Sequence, residues 1–108
     1  MILKKITDIS GVTRDDGITL GDFFGAAERA GVKMGYAVFP PGSEAPPAAH
    51  DADEYAYIIS GSVKSQIGGK VTELKAGCAS FIPAGEEHVS FNDGDEACNL
   101  VWMLVDPA

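Results

Sequence analysis

Residues 77–92, GCASFIPAGEEHVSFN, leave the backbone little choice. Residues 78–82 read as a strand, Pro83-Ala84-Gly85 as a tight corner, and a second strand begins near His88. Proline fixes φ on entry and glycine supplies a left-handed conformation on exit, so the reversal is set by backbone chemistry and not by packing. His88 must return beside the strand that the chain has just left.

Other segments carry the same kind of signal. Over residues 32–39 the residues Val32, Met34, Tyr36 and Val38 alternate with small or polar ones until Pro40-Pro41-Gly42 stops the run, which predicts a strand ending in a turn. Residues 54–60, EYAYIIS, are dense in aromatic and β-branched side chains and end at Gly61, again a strand. Two alternating runs, 62–67 and 71–74, flank Gly68-Gly69-Lys70 and predict a hairpin. A turn at 92–95 leads to a last strand over 99–105, closed by Pro107. Residues 18–24 fit a strand, or residues 22–30 a short helix capped by Asp22 and ended by Gly31. Ile2, Ile6, Ile9 and Val12 suit an edge strand or an extended arm better than a regular helix. Antiparallel strands joined by glycine turns describe an all-β sandwich or small barrel, and 108 residues suffice for one such domain over 1–108.

Charge narrows the partners. A formal net charge of −8 with no lysine or arginine cluster argues against nucleic acid and against an anionic membrane surface. MILKKITDIS lacks the apolar core of a secretory signal, and no span has the length of a transmembrane helix. Cys78 and Cys98 are too few and too far apart for a disulfide framework. The simplest expectation is a cytoplasmic protein in a reducing compartment.

The spacing Gly77, five residues, Pro83, one, Gly85, two, His88, three, Asn92 resembles the second conserved motif of the cupin family. Upstream, PPGSEAPPAAHDADEYAYIISG resembles the first motif, in which a glycine precedes a His-x-His pair, a glutamate and another glycine. Gly42, His50, Glu54 and Gly61 fall on its positions, and Ala48 stands where the first histidine of the pair would be. The motifs span 42–61 and 77–92. The resemblance implies a cupin-type double-stranded β-helix, a jelly-roll-like barrel, and it favours the strand over the helix at 18–24. It also implies a metal site with one more histidine than this chain offers. Cupins include dioxygenases, isomerases, lyases, sugar-binding proteins and seed storage proteins, so the fold does not choose the function.

In a strand, residues two apart share a face, so His50 and Glu54 both point inward if the strand starts by His50. His88 enters from another strand. Two imidazoles and one carboxylate form the set that holds non-haem Fe(II) with positions left open, and with water they satisfy Zn²⁺; Mn²⁺, Ni²⁺ and Co²⁺ are further candidates. The expected function is that of a metal-dependent enzyme of oxygenase, isomerase or lyase type acting on a small organic molecule. The alternative is a non-catalytic small-molecule-binding or sensing module whose site has degenerated at Ala48.

Other residues carry blander readings. Glu44, Asp51 and Asp53 read as solvated loop carboxylates, and Glu86 and Glu87 as a solvated corner. Cys78 and Cys98 read as small packing residues. Asn92 serves the Asn-Asp-Gly turn. Trp102 and Met103 lie on opposite faces of the last strand, so one of them lines the pocket. With Glu54 inward, Ala56 and Ile58 follow it, and Tyr55, Tyr57 and Ile59 form an outward apolar stripe. Such a stripe calls for a cover, either a second copy in a homodimer or residues 2–9 of the same chain. The resemblance points to the dimer, since cupins commonly pair through a sheet face or exchanged N-terminal strands.

Overall fold

The structure is a computed structural model that describes residues 1–107. Nine strands follow a short 3-10 turn at Ile6–Asp8: β1 (Val12–Thr13), β2 (Thr19–Phe24), β3 (Val32–Phe39), β4 (Asp53–Ser60), β5 (Ser62–Ile67), β6 (Lys70–Lys75), β7 (Ala79–Ile82), β8 (Val89–Phe91) and β9 (Cys98–Val105). They form two antiparallel sheets, one ordered β1-β2-β3-β9-β4-β7 and the other β6-β5-β8. Residues 43–49, expected as a loop, also carry two bridges, Glu44 to Phe91 and Ala48 to His88, which lay this segment along the free edge of β8. The result is the expected all-β, jelly-roll-like cupin barrel. Among the described residues no helix is long and apolar enough to cross a membrane.

Residues 18–24 resolve in favour of the strand. β2 pairs with β3 as far as Phe24 opposite Met34, and the chain then turns at Gly25, whose N–H donates to the Glu28 carboxylate. The N-terminal segment is an arm with a two-residue edge strand, touching the barrel where the Lys4 ammonium lies 5.0 Å above the Phe24 ring.

Register fixes what faces inward. Lys33, Leu104, Glu54 and Ile82 lie opposite one another across β3, β9, β4 and β7. The next inward level holds Gly35, Trp102, Ala56 and Ser80, and the one after it Ala37, Leu100 and Ile58. Ile18, Phe39 and Cys98 close the far end, fully or nearly fully buried. Burial there pushes the Cys98 thiol up from its ordinary value, which suits a packing residue and not a nucleophile. From Ile58 to Glu54 the barrel runs about 13 Å, at ~3.3 Å per residue. One end is therefore a packed apolar core and the other is open to chemistry. The alternating apolar residues of β3, Val32, Met34, Tyr36 and Val38, sit on the outer face, where the Tyr36 ring covers Gly21 and packs at 5.8 Å against Phe23.

Asn92 ties the packed end together. Its Nδ2 donates to the carbonyls of Phe39 and Glu96, and its Oδ1 accepts from the Gly94 N–H, so it serves the turn and anchors β3 as well. Gly61, between β4 and β5, has φ +73° and faces the Ala97 carbonyl, which an added Cβ would meet at 2.2 Å. Gly42 has a similar φ of +80° with open space around it. Gly61→Ala is expected to destabilise the barrel by about 2–4 kcal/mol, and Gly42→Ala by only the ~1–2 kcal/mol of left-handed strain. Chemical denaturation of the two variants measures the difference, and equal losses would show that the Ala97 contact relaxes freely.

Candidate metal centre

The corner at residues 83–85 is held by the segment it packs against. The Gly85 N–H donates to the His50 carbonyl at 2.7 Å, and the Ala84 N–H donates to Asp53 Oδ1 at 2.9 Å. Asp53 is thus not the solvated loop carboxylate its sequence suggested: it fastens the corner that carries His88. Just beyond the corner, Ala48 and His88 exchange both backbone hydrogen bonds, at 2.9 and 2.8 Å. These contacts bring the two motifs side by side.

His50, Glu54 and His88 converge. Their ligating atoms all lie within 4.8 Å of one another, with His50 Nε2 at 3.2 Å and His88 Nε2 at 3.8 Å from the same Glu54 oxygen, Oε1. Two ligands bound to one ion at ~2.0–2.2 Å stand about 3–3.5 Å apart, so the set is near the size a divalent ion requires. His50 reaches the site by a different route from the one its spacing suggested. β4 starts at Asp53, and His50 lies ahead of the bend at residues 51–52 that leads into it, held by its carbonyl to Gly85.

His88 is 6% exposed, and its Nδ1 lies 3.1 Å from the Glu86 carbonyl. A carbonyl only accepts, so Nδ1 carries the hydrogen and Nε2 is the nitrogen left to face the Glu54 carboxylate. A lone pair and a carboxylate oxygen facing each other are mutually repulsive unless a cation or a second proton lies between them. The donor set therefore fits a metal, with the Glu86 carbonyl orienting the ring. The Glu86 and Glu87 side chains are exposed and take no part, and Glu44 and Asp51 are exposed as well.

Behind the three ligands lies a cavity of about 360 Å³. Its walls are mostly apolar, with Ile18, Phe39, Ile58, Leu100 and Trp102 among them, and Ala48 also borders it. Of the pair left open by the sequence, Trp102 faces the cavity, while Met103 lies on the outer face and is 36% exposed. Arg14, Asp22 and Lys33 line it too. Arg14 is paired with Asp16 at 2.6 Å, a hydrogen bond that holds the Asp16 carboxyl below its ordinary value, and Lys33 lies 3.9 Å from Asp22. Three lining hydroxyls, Ser65, Ser80 and Ser90, were not singled out from the sequence. The strand parity that turned Ala56 inward with Glu54 would have found Ser90, two residues beyond His88.

Comparison with known proteins agrees with this fold. In the solved structure of a predicted oxalate decarboxylase from Thermotoga maritima, the same fold covers 98% of this chain and 100% of that one, with a TM-score of 0.84 at 19% identity. The polyketide cyclase RemF from Streptomyces resistomycificus aligns over 98% of this chain and 81% of its own, with a TM-score of 0.83 at 20% identity. A curated relative, endoribonuclease YbeY of Myxococcus xanthus (strain DK1622), is 29% identical over 99 residues, 90% of this chain and 33% of that protein. The chain spans about a third of that relative's length. The cupin domain family matches residues 35–104, both motifs and the strands between them included. With the two motifs, the barrel and this match in agreement, the chain belongs to the cupin family.

Proposed function

We propose that the protein is a metal-dependent enzyme acting on a small organic molecule held in the barrel, through oxygenase-, isomerase- or lyase-type chemistry. The observation that carries this reading is the convergence of His50, Glu54 and His88 on one point at the border of an apolar cavity. A bound divalent ion, whether Fe, Zn, Mn, Ni or Co, supplies Lewis-acid polarisation of a substrate oxygen, or redox chemistry in the case of iron. The chain's own part is to hold the three donors, to leave open coordination positions beside Ala48, and to keep water scarce with Leu104, Ile82 and Trp102. The names of two fold relatives, a predicted oxalate decarboxylase and a polyketide cyclase, support chemistry on small organic molecules in this type of barrel. The net charge of −8 disfavours nucleic acid and anionic membranes as partners. Two free thiols, one of them buried, are compatible with a reducing cytoplasm.

The rival reading, a non-catalytic binding or sensing module, rests on Ala48, which removes one ligand of the usual four. Metal analysis of protein purified without chelators or a nickel column separates the two. Stoichiometric metal followed by oxygen uptake or turnover against pooled metabolites supports the enzyme, and a metal-free protein supports the binder. His50→Ala, Glu54→Ala and His88→Ala are each expected to lower metal affinity about 100-fold or more, since even changes to the groups behind a ligand cost ~10–100-fold. Glu86→Ala keeps the carbonyl that orients His88, and neither it nor Glu87→Ala should change metal content. Retained metal in His88→Ala would refute the assignment. Ala48 lies directly opposite His88 in an antiparallel bridge, where side chains share a face about 5 Å apart. Ala48→His is therefore expected to tighten metal binding by about tenfold or more, ~1.4 kcal/mol.

The homodimer is part of the same proposal. Tyr55, Tyr57, Ile59 and Phe81 are 45%, 48%, 56% and 54% exposed on one outer face. The N-terminal arm does not cover them; its own Ile2, Leu3 and Ile6 are exposed too. A second copy covers such a face better than water does. Light scattering should give a mass near twice 11.3 kDa, and Tyr57→Glu should shift it toward the monomer. A concentration-independent monomer mass for the unmodified protein would overturn the dimer.

A further inference from the structure

The level of the barrel directly beneath the metal ligands is built differently from the apolar core below it. Trp102 stands there between Gly35 on β3 and Ala56 on β4, and Ala56 is in turn opposite Ser80 on β7. A Cβ on Gly35 would lie 2.4 Å from Trp102 Cζ2 and 2.8 Å from Cε2, so the indole occupies the space over the β3 backbone that any other residue would fill. Its Nε1 donates to the Tyr36 carbonyl at 2.9 Å. With its one polar atom satisfied in the wall, the indole offers the cavity only aromatic surface.

Opposite this wall, Ser65 and Ser90 share one hydrogen bond at 2.9 Å. Two hydroxyls joined by one bond leave one O–H undirected, and the Ser80 hydroxyl makes no hydrogen bond among the described residues. An apolar cavity thus carries two spare hydroxyl donors at the level of its aromatic wall. Ser90 and Ala56 each lie two residues along their strand from a metal ligand, His88 and Glu54, a separation of about 7 Å at ~3.3 Å per residue. One ring attached to a donor oxygen at the ligand set spans that distance. A cavity of about 360 Å³ has room for one ring with short substituents.

From these contacts we infer that the barrel takes a small aromatic molecule bearing an oxygen donor, such as an aromatic carboxylate or a phenol. Its ring lies on Trp102 in the space over Ala56, and its substituents meet Ser65, Ser80 and Ser90. This inference deepens the proposed function and rests on it only for the donor end, where the oxygen meets the ion held by His50, Glu54 and His88.

Benzoate and cyclohexanecarboxylate test the ring apart from the donor, because both present one ionised carboxylate and a six-membered ring of nearly equal size. Trp102 is the sole tryptophan, so its emission reports contact directly, and calorimetry gives the affinity. Zinc-loaded protein is expected to bind benzoate roughly three- to tenfold more tightly than cyclohexanecarboxylate, the ratio an aromatic pair contributes, with a change in Trp102 emission. Ala56→Leu should abolish benzoate binding while keeping its zinc. The comparison of the two acids on unmodified protein stands even if that variant fails to fold.

Equal affinity for the two acids, no benzoate binding, or benzoate binding without a change in emission would each overturn the inference. Failure of the metal reading is a separate result: a protein that takes up no zinc yet prefers benzoate loses its metal centre and keeps its aromatic site.

Discussion

Everything at the open end of the barrel depends on a short set of hydrogen bonds from backbone N–H groups between two segments some three dozen residues apart. Gly85 donates to the His50 carbonyl, Ala84 to the Asp53 carboxylate, and Ala48 and His88 to each other. His50 belongs to no strand, so a sheet ladder does not position it; the corner at Pro83-Ala84-Gly85 does. The corner in turn holds its shape because proline and glycine at its ends restrict the backbone to one reversal. Gly85 has φ +84°, as that geometry requires. A site of three side chains is thus fixed by main-chain bonds and the Asp53 carboxylate, and substitutions at other side chains can change its chemistry without moving its frame. Ala48 is an instance: the backbone of the missing ligand's position remains hydrogen-bonded to His88.

Most of the strand order along the chain was legible before the fold was known, because its signals are local. The Gly68-Gly69 hairpin, the alternation of β3 and the dense β-branched run of β4 each depend on neighbouring residues only. The inward parity of Glu54, Ala56 and Ile58 followed once one member was placed. What was not legible depends on partners distant in the chain. Asp53 looked like a solvent-facing acid because its acceptor role needs Ala84, 31 residues away. Trp102 and Met103 could not be separated, since the choice between them is made by Gly35 and Tyr36 on another strand. The apolar residues of β3 face outward for a related reason: the inner face there is filled by Trp102 and needs a glycine, not a large side chain.

That outer position of large apolar groups has a consequence for how the protein is held together. Inward side chains of the big sheet are small at Ala37 and Ala56, leaving a cavity where a close-packed sandwich would have a core. Apolar area given up inside is partly recovered outside, where Tyr36 packs on Gly21 and Phe23, and where Tyr55 lies 5.0 Å from Phe81. At roughly 25 cal/mol per Å² of buried apolar surface, covering two tyrosines, an isoleucine and a phenylalanine on that face would contribute several kcal/mol. A barrel that keeps a cavity inside places more of its apolar surface outside, so the hollow interior and the apolar exterior are two sides of one constraint.

The same constraint bears on the chemistry. A cavity lined by Ile58, Leu100 and Trp102 lowers the local dielectric around Glu54, and a carboxylate facing two imidazoles there is costly unless positive charge joins it. His88 itself is almost completely buried. The ways to balance the group are a proton on an imidazole or a divalent ion among the three donors. The Nδ1 hydrogen bond to the Glu86 carbonyl already commits one side of the His88 ring, leaving Nε2 as the only nitrogen through which either can act. An ion satisfies both imidazoles and the carboxylate at once, whereas a proton satisfies one pair of them. The arrangement is therefore better matched to a metal than to an ion pair, and Ala48 would offer such an ion no side-chain donor.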